Sequence, residues 1–201
     1  MSHIKKDQKG FSVIEALIIA VIIVALGGVG YVVFRHHKAA TYGTNTTGSQ
    51  QYTDRLGFKI TPPKGWEKVS NCNGNIVCFK SSTTDSASSG KFSDVISVNA
   101  TKLSSNSAKS LTLDQIFNAS ISSLSKSETG FKLEGTIPET INGVSAKLAT
   151  MTFEANNQNI TADSLFIISN DISYSITGQS LSASWPQNND IIKTSLLSFV
   201  P

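Results

Sequence analysis

Phe11 to Phe34 is a 24-residue run interrupted by a single ionisable side chain, Glu15. As a helix rising about 1.5 Å per residue it would be about 36 Å long. That is enough to cross a hydrocarbon core of about 30 Å with some tilt. A secretory signal would have a shorter apolar region followed by small residues at a cleavage site. Here Arg35-His36-His37-Lys38 follows, and no cysteine stands nearby to carry a lipid. The run therefore predicts one membrane-spanning helix, within residues 11–37. Lys5, Lys6 and Lys9 precede it and Arg35 and Lys38 follow it, which favours a cytoplasmic N-terminus by one residue. The expected placement is a single-pass cell-membrane protein with its C-terminal part outside.

A carboxylate in a spanning helix costs about 2.5–3.5 kcal/mol at the centre on insertion scales, less near an end. Such a group is functional by default, and the plain alternative is a Glu that snorkels to the headgroups. Its neighbours favour the functional reading. Lys9-Gly10-Phe11-Ser12-Val13-Ile14-Glu15-Ala16-Leu17-Ile18 resembles the type IV prepilin signal, a short basic leader ending in Gly, then Phe, then Glu as the fifth mature residue. The resemblance covers about the first 34 residues. It implies cleavage between Gly10 and Phe11 by a prepilin peptidase and methylation of the new Phe11 amine. It also implies that Glu15 neutralises the amine of a neighbouring pilin-like subunit during assembly, and paired charges make a carboxylate tolerable in lipid.

Many pilins extend the first helix as an amphipathic rod against a sheet. After Lys38, however, Ala39 to Gln50 shows no helical period and is rich in Gly and Thr, so residues 38–51 read as a flexible linker. This points away from the fibre-building pilins and towards a minor pilin, a pseudopilin or a borrowed signal. The partners expected are membrane lipid, the prepilin peptidase and other pilin-like subunits. The alternative is a membrane-tethered extracellular binding domain that does not polymerise.

Charge limits what the exported part binds. Residues 1–38 hold five Lys/Arg and two acids, which accounts for the whole net +3 of the chain. Residues 39–201 hold twelve of each sign, so net charge indicates no nucleic acid partner.

From about Tyr52 the pattern becomes α+β. Strands are expected at Phe58–Thr61, Trp66–Ser70, Ile76–Lys80, Asp94–Lys102, Phe131–Thr136, Val144–Ala155, Ile160–Ser169 and Ile172–Gly178. Val95, Ser97 and Asn99 alternate with Ile96 and Val98, which predicts one face inward and one outward. Pro62-Pro63-Lys64-Gly65, Asn73-Gly74, Asn142-Gly143, Asn156-Asn157 and Asn170-Asp171 supply turns, and the short later connections predict antiparallel hairpins. Thr112-Leu113-Asp114-Gln115 has capping-box form. It heads a helix with Leu113, Ile116, Phe117, Ile121 and Leu124 on one stripe. A last helix is expected from Asn189 or Asp190, burying Ile191, Ile192, Ser195, Leu196 and Phe199. The organisation is a leader at 1–10, a membrane helix at 11–37, a linker at 38–51, and an extracellular domain at 52–201.

Gly57-Phe58-Lys59-Ile60-Thr61-Pro62-Pro63-Lys64-Gly65-Trp66 resembles the opening strand and turn of PsbP-like domains, with Pro62 where an aromatic usually stands. Ile141-Asn142-Gly143-Val144, Tyr174 to Gly178 and Ser198-Phe199 fit the same order. The resemblance implies an α/β/α sandwich, an antiparallel sheet with two flanking helices, used for binding or as a scaffold. Fold alone assigns no activity.

Cys72 and Cys78 bracket five residues. Disulfide, free thiols and metal ligation are all open to them. Export favours the disulfide, and ligation lacks a nearby His or further Cys. His3, His36 and His37 lie outside the exported domain, which leaves no Ser-His-Asp or Cys-His chemistry there. Ser123-Leu124-Ser125-Lys126 matches S-x-x-K but lacks the accompanying Ser-Asp-Asn and Lys-Thr-Gly elements. The chain is expected to be no enzyme, with no cofactor and no metal. Trp66 and Trp185 read as packing residues, and Asn99, Asn118 and Asn159 sit in chance glycosylation triplets.

Overall fold

The structure, a computed structural model, describes residues 50–201 except 70, 71, 73, 84, 88 and 89. Gly10, Phe11 and Glu15, with the expected span and most of the linker, lie outside the described residues. Among the described residues no helix is long and apolar enough to cross a membrane.

Among the described residues eleven strands and three helices follow in chain order. The strands before the helices are β1 (Tyr52–Thr53), β2 (Lys59–Ile60), β3 (Glu67–Val69), β4 (Val77–Lys80), β5 (Asp85–Ala87), β6 (Gly90–Phe92) and β7 (Val95–Lys102). Helices α1 (Asn106–Lys109) and α2 (Leu113–Ser127) come next. Then come β8 (Thr129–Ile141), β9 (Val144–Ala155), β10 (Gln158–Ser169), β11 (Ile172–Leu181) and α3 (Trp185–Leu197). Seven strands form one antiparallel sheet in the order β3-β4-β7-β11-β10-β9-β8, and β1-β2 and β5-β6 make two small ladders.

The last four strands owe their register to three two-residue turns. Asn142-Gly143, Asn156-Asn157 and Asn170-Asp171 all take positive φ at both positions. This is the type I′ geometry whose twist suits a hairpin, and Asn and Gly tolerate it best. The ladders run unbroken from Asn156-Asn157 and Asn170-Asp171. By contrast, β8 shows register irregularities near Thr129–Lys132 and Leu133–Gly135. It is the sheet's long edge strand, and Lys132, Glu134 and Pro138 are exposed along it.

Period two divides the sheet into two faces. The first carries Val77, Phe79, Ile96, Val98, Leu148, Leu165, Ile167, Tyr174 and Ile176, packed with Ile192, Leu196 and Phe199 into the main core. Helix α3 lies close because β11 has Gly178 there, where an added Cβ would overlap Ile192 Cγ2. Phe199 stacks on Phe58 at 5.4 Å and meets Tyr174 edge-on at 5.2 Å. Trp66 and Trp185 pack, half-buried, against this core. The second face carries Phe166 and Ala149 under Phe117 of α2. Thr112 caps α2 in the expected box: its hydroxyl accepts from Gln115 N at 3.2 Å, and its N–H donates to Gln115 Oε1 at 2.8 Å.

Several expectations need correction. Helix α3 begins at Trp185, four residues before Asn189, with Pro186 in its first turn. Proline pre-sets helical φ there, where its missing N–H breaks no bond. Ile191 is 45% exposed, so the buried face of the helix narrows to Ile192, Ser195 and Leu196, with Phe199 buried as expected just past its end. Strand β8 extends well beyond Phe131–Thr136, because edge pairing tolerates Pro138. Strands β1, β5 and β6 and helix α1 are additional to the expected elements.

Candidate functional site

Alternation puts Ser97 and Asn99 of β7, Ser164 of β10, and Ser173, Ser175, Thr177 and Gln179 of β11 on the second face. The register sets Ser97 opposite Thr177 and Asn99 opposite Ser175. Ser164 Oγ and Thr177 Oγ1 share a hydrogen bond of 2.6 Å. None of the seven side chains is ionisable.

Small apolar clusters border this patch. Val95, Cys72 and Cys78 stand on one side, and Phe92, Ile160, Ala162 and Leu181 at one end. Leu103, Ala108 and Ile116 stand at the other end, with Phe117 and Phe166 along the α2 side. Cys72 and Cys78 form a disulfide, with Cα atoms 5.9 Å apart, the pairing favoured among the three that the sequence left open. It ties the loop before β4 to β4 itself, and Val95 of β7 packs against the pair.

Ser97, Ser175 and Thr177 are half-buried, while Asn99 is 4% and Gln179 5% exposed. Asn99 Nδ2 and Gln179 Oε1 are buried and have no hydrogen-bond partner among the described residues. Each such group costs about 1–3 kcal/mol of unrepaid desolvation. Turning either amide towards a ligand breaks no existing bond at those atoms. Alternation sets Ser97 and Asn99 on the face opposite Ile96 and Val98. On that face Asn99 is buried and Ser97 half-buried. Asn118 and Asn159, by contrast, are exposed.

Polar groups also sit beside α3 on the first face. Asp94 Oδ2 accepts from Asn188 Nδ2 at 2.8 Å, and Asp163 Oδ1 accepts from Thr150 Oγ1 at 2.6 Å. Burial pushes the Asp163 carboxyl above its ordinary range, with the Thr150 bond and the Lys193 charge opposing. Neither feature resembles an acid–base pair. In the S-x-x-K stretch the Ser125 hydroxyl donates to the Ser122 carbonyl at 2.9 Å on the exposed side of α2. Among the described residues no group of three or more His, Cys, Asp or Glu gathers in a way that could hold a metal.

No protein-family profile matches the chain, and no curated protein matches its sequence. Solved structures do match its fold. One is LpqN, involved in cell envelope biogenesis of Mycobacterium tuberculosis, with 12% identity and a TM-score of 0.58, covering 72% of this chain and 82% of that one. Another is the cyanobacterial PsbP, CyanoP, from Synechocystis sp. PCC 6803, with 14% identity and a TM-score of 0.53, covering 81% and 98%. A third is PA94 from Pseudomonas aeruginosa, a protein of unknown function and putative regulator, with 20% identity and a TM-score of 0.50, covering 76% and 96%. The domain therefore has a PsbP-like fold, an antiparallel sheet between helices.

Proposed function

We propose that the chain is a minor pilin-like or pseudopilin-like surface subunit, with a prepilin-type anchor, a linker, and a PsbP-like head that binds and does not catalyse. The anchor reading rests on the segment Lys9 to Ile18, and what separates the head from a fibre-building pilin is its self-sufficiency. Its main core is assembled from Phe58 to Phe199, and helices from within the head cover both sheet faces. The sheet thus needs no N-terminal rod to bury it, unlike the arrangement of many pilins. The same closure favours a second reading, a tethered binding head that never polymerises. The two differ at Glu15.

Mass spectrometry of the mature protein tests the anchor. A chain beginning at N-methyl-Phe11 is expected, and an intact Met1 or Ser2 terminus would overturn the prepilin reading. Glu15→Ala then separates the alternatives. Filament incorporation should be lost while membrane insertion persists, since removing a carboxylate from lipid favours insertion. Unchanged incorporation would remove the ion-pair role of Glu15, and absence of the native chain from filaments would favour the tethered head.

A further inference from the structure

The head is neutral overall but not uniformly so. Residues 50–112 hold eight Lys/Arg against four Asp/Glu, or +4, and residues 113–201 hold four against eight, or −4. The first stretch supplies β3, β4 and β7, and the second supplies β11, β10, β9 and β8. These are the two sides of the sheet. The charge step in the sequence therefore becomes a charge step across the molecule.

The chain enters the head at the basic side, two residues before β1. There the β1–β2 turn is tightly built. Asp54 Oδ1 accepts from Leu56 N at 2.9 Å, Asp54 Oδ2 accepts from the Tyr52 hydroxyl at 3.0 Å, and Gly57 takes φ +94. The carboxylate is thus turned inward, while Arg55 and Leu56 project outward, Leu56 being 44% exposed. Lys59, Lys64 and Lys68 are exposed on the following segment, and Lys68 Nζ stands 4.6 Å from the Tyr52 ring centre. Glu67, the other acid of this segment, faces Lys80 across the β3–β4 ladder. An aliphatic tip flanked by basic side chains, with Tyr52 and the half-buried Trp66 nearby, has the composition of a bilayer-interface contact.

From these observations, and resting on the reading of residues 11–34 as a membrane anchor, we infer that the head docks by its β1–β2 edge onto anionic phospholipid headgroups. Fifteen residues separate Phe34 from Gln50, so even fully extended they hold the head within about 50 Å of the bilayer. The basic edge is the one nearest the tether, and the acidic half of the sheet is turned away from the lipid. Each Lys or Arg reaching an anionic surface changes partitioning by about fivefold, in a salt-sensitive way.

The test uses the full chain in vesicles, with energy transfer from Trp66 and Trp185, its only tryptophans, to a dansyl-labelled headgroup. Transfer should be stronger in phosphatidylglycerol-containing vesicles than in pure phosphatidylcholine, and should fall as salt is raised. Arg55→Glu/Lys59→Glu/Lys64→Glu should reduce it to the phosphatidylcholine level with unchanged circular dichroism. Lys126→Glu/Lys132→Glu, on the far side, should leave it intact. Equal transfer in both vesicles with a carbonate-resistant anchor overturns the docking but leaves the anchor standing. Transfer that fades on diluting protein into lipid also overturns it, since the edge would then be meeting the acidic half of a second copy. A chain extracted by carbonate overturns anchor and docking together.

Discussion

The two sides of the sheet are built by different means. Strands β8 to β11 are 10 to 13 residues long and joined by two-residue turns, so their order is written in local backbone chemistry. On the other side, β3 and β4 have 3 and 4 residues, and a disulfide and the packing of Phe58 hold what short ladders cannot. Local turns specify register at little entropic cost, whereas short strands need long-range contacts or a covalent link.

The largest effect should come from the contact that joins the two sides. Phe199→Ala removes a fully buried ring stacked on Phe58 and against Tyr174, at a cost of about 3–5 kcal/mol. Urea unfolding followed by tryptophan fluorescence and by circular dichroism should give coincident transitions. Separated transitions would mean that the halves are independent units. Next, Cys72→Ser/Cys78→Ser should cost about 2 kcal/mol, given the small loop. Amide exchange should quicken at Val77–Lys80 and hardly change at Val144–Ala155. Uniform acceleration would show that the disulfide supports the whole sheet and not its short-stranded side.

Asn156→Ala should cost about 1 kcal/mol, because alanine resists the positive φ of 52° at that turn. Its effect on exchange should be confined to β9 and β10. The smallest effect concerns Asp163, whose carboxyl burial raises. The native state then holds its proton more tightly than the unfolded chain does. The stability it contributes is therefore full below the ordinary aspartate range and is lost as pH rises through the raised folded value. Asp163→Asn should flatten that part of the stability–pH curve, and a curve of unchanged slope would show that burial does not dominate at this site.

Legibility followed the same division. Val144–Ala155 could be read residue for residue because an Asn turn closes each end, and the capping box fixed the start of α2. Pairing of β7 with β11 joins segments some seventy residues apart and leaves no local signal. The start of α3 was hidden because Trp185-Pro186 reads equally as a stop or a first turn. Of the candidate patch, the alternation of Ser97 and Asn99 was visible. The burial of Asn99 was not, since alternation fixes which face a side chain takes and not what lies over it. The pairing of Cys72 with Cys78 was legible because only six positions separate them.

The irregular edge of β8 has a consequence for crowding. Thirteen residues of open strand, with Leu133 and Ile137 exposed, would serve as a template on which a neighbouring head could zip its own backbone. The two breaks in register, Pro138 and the charges of Lys132 and Glu134 spoil that template. Copies of the domain crowded together at high concentration can therefore jostle without fusing their sheets into a common fibre.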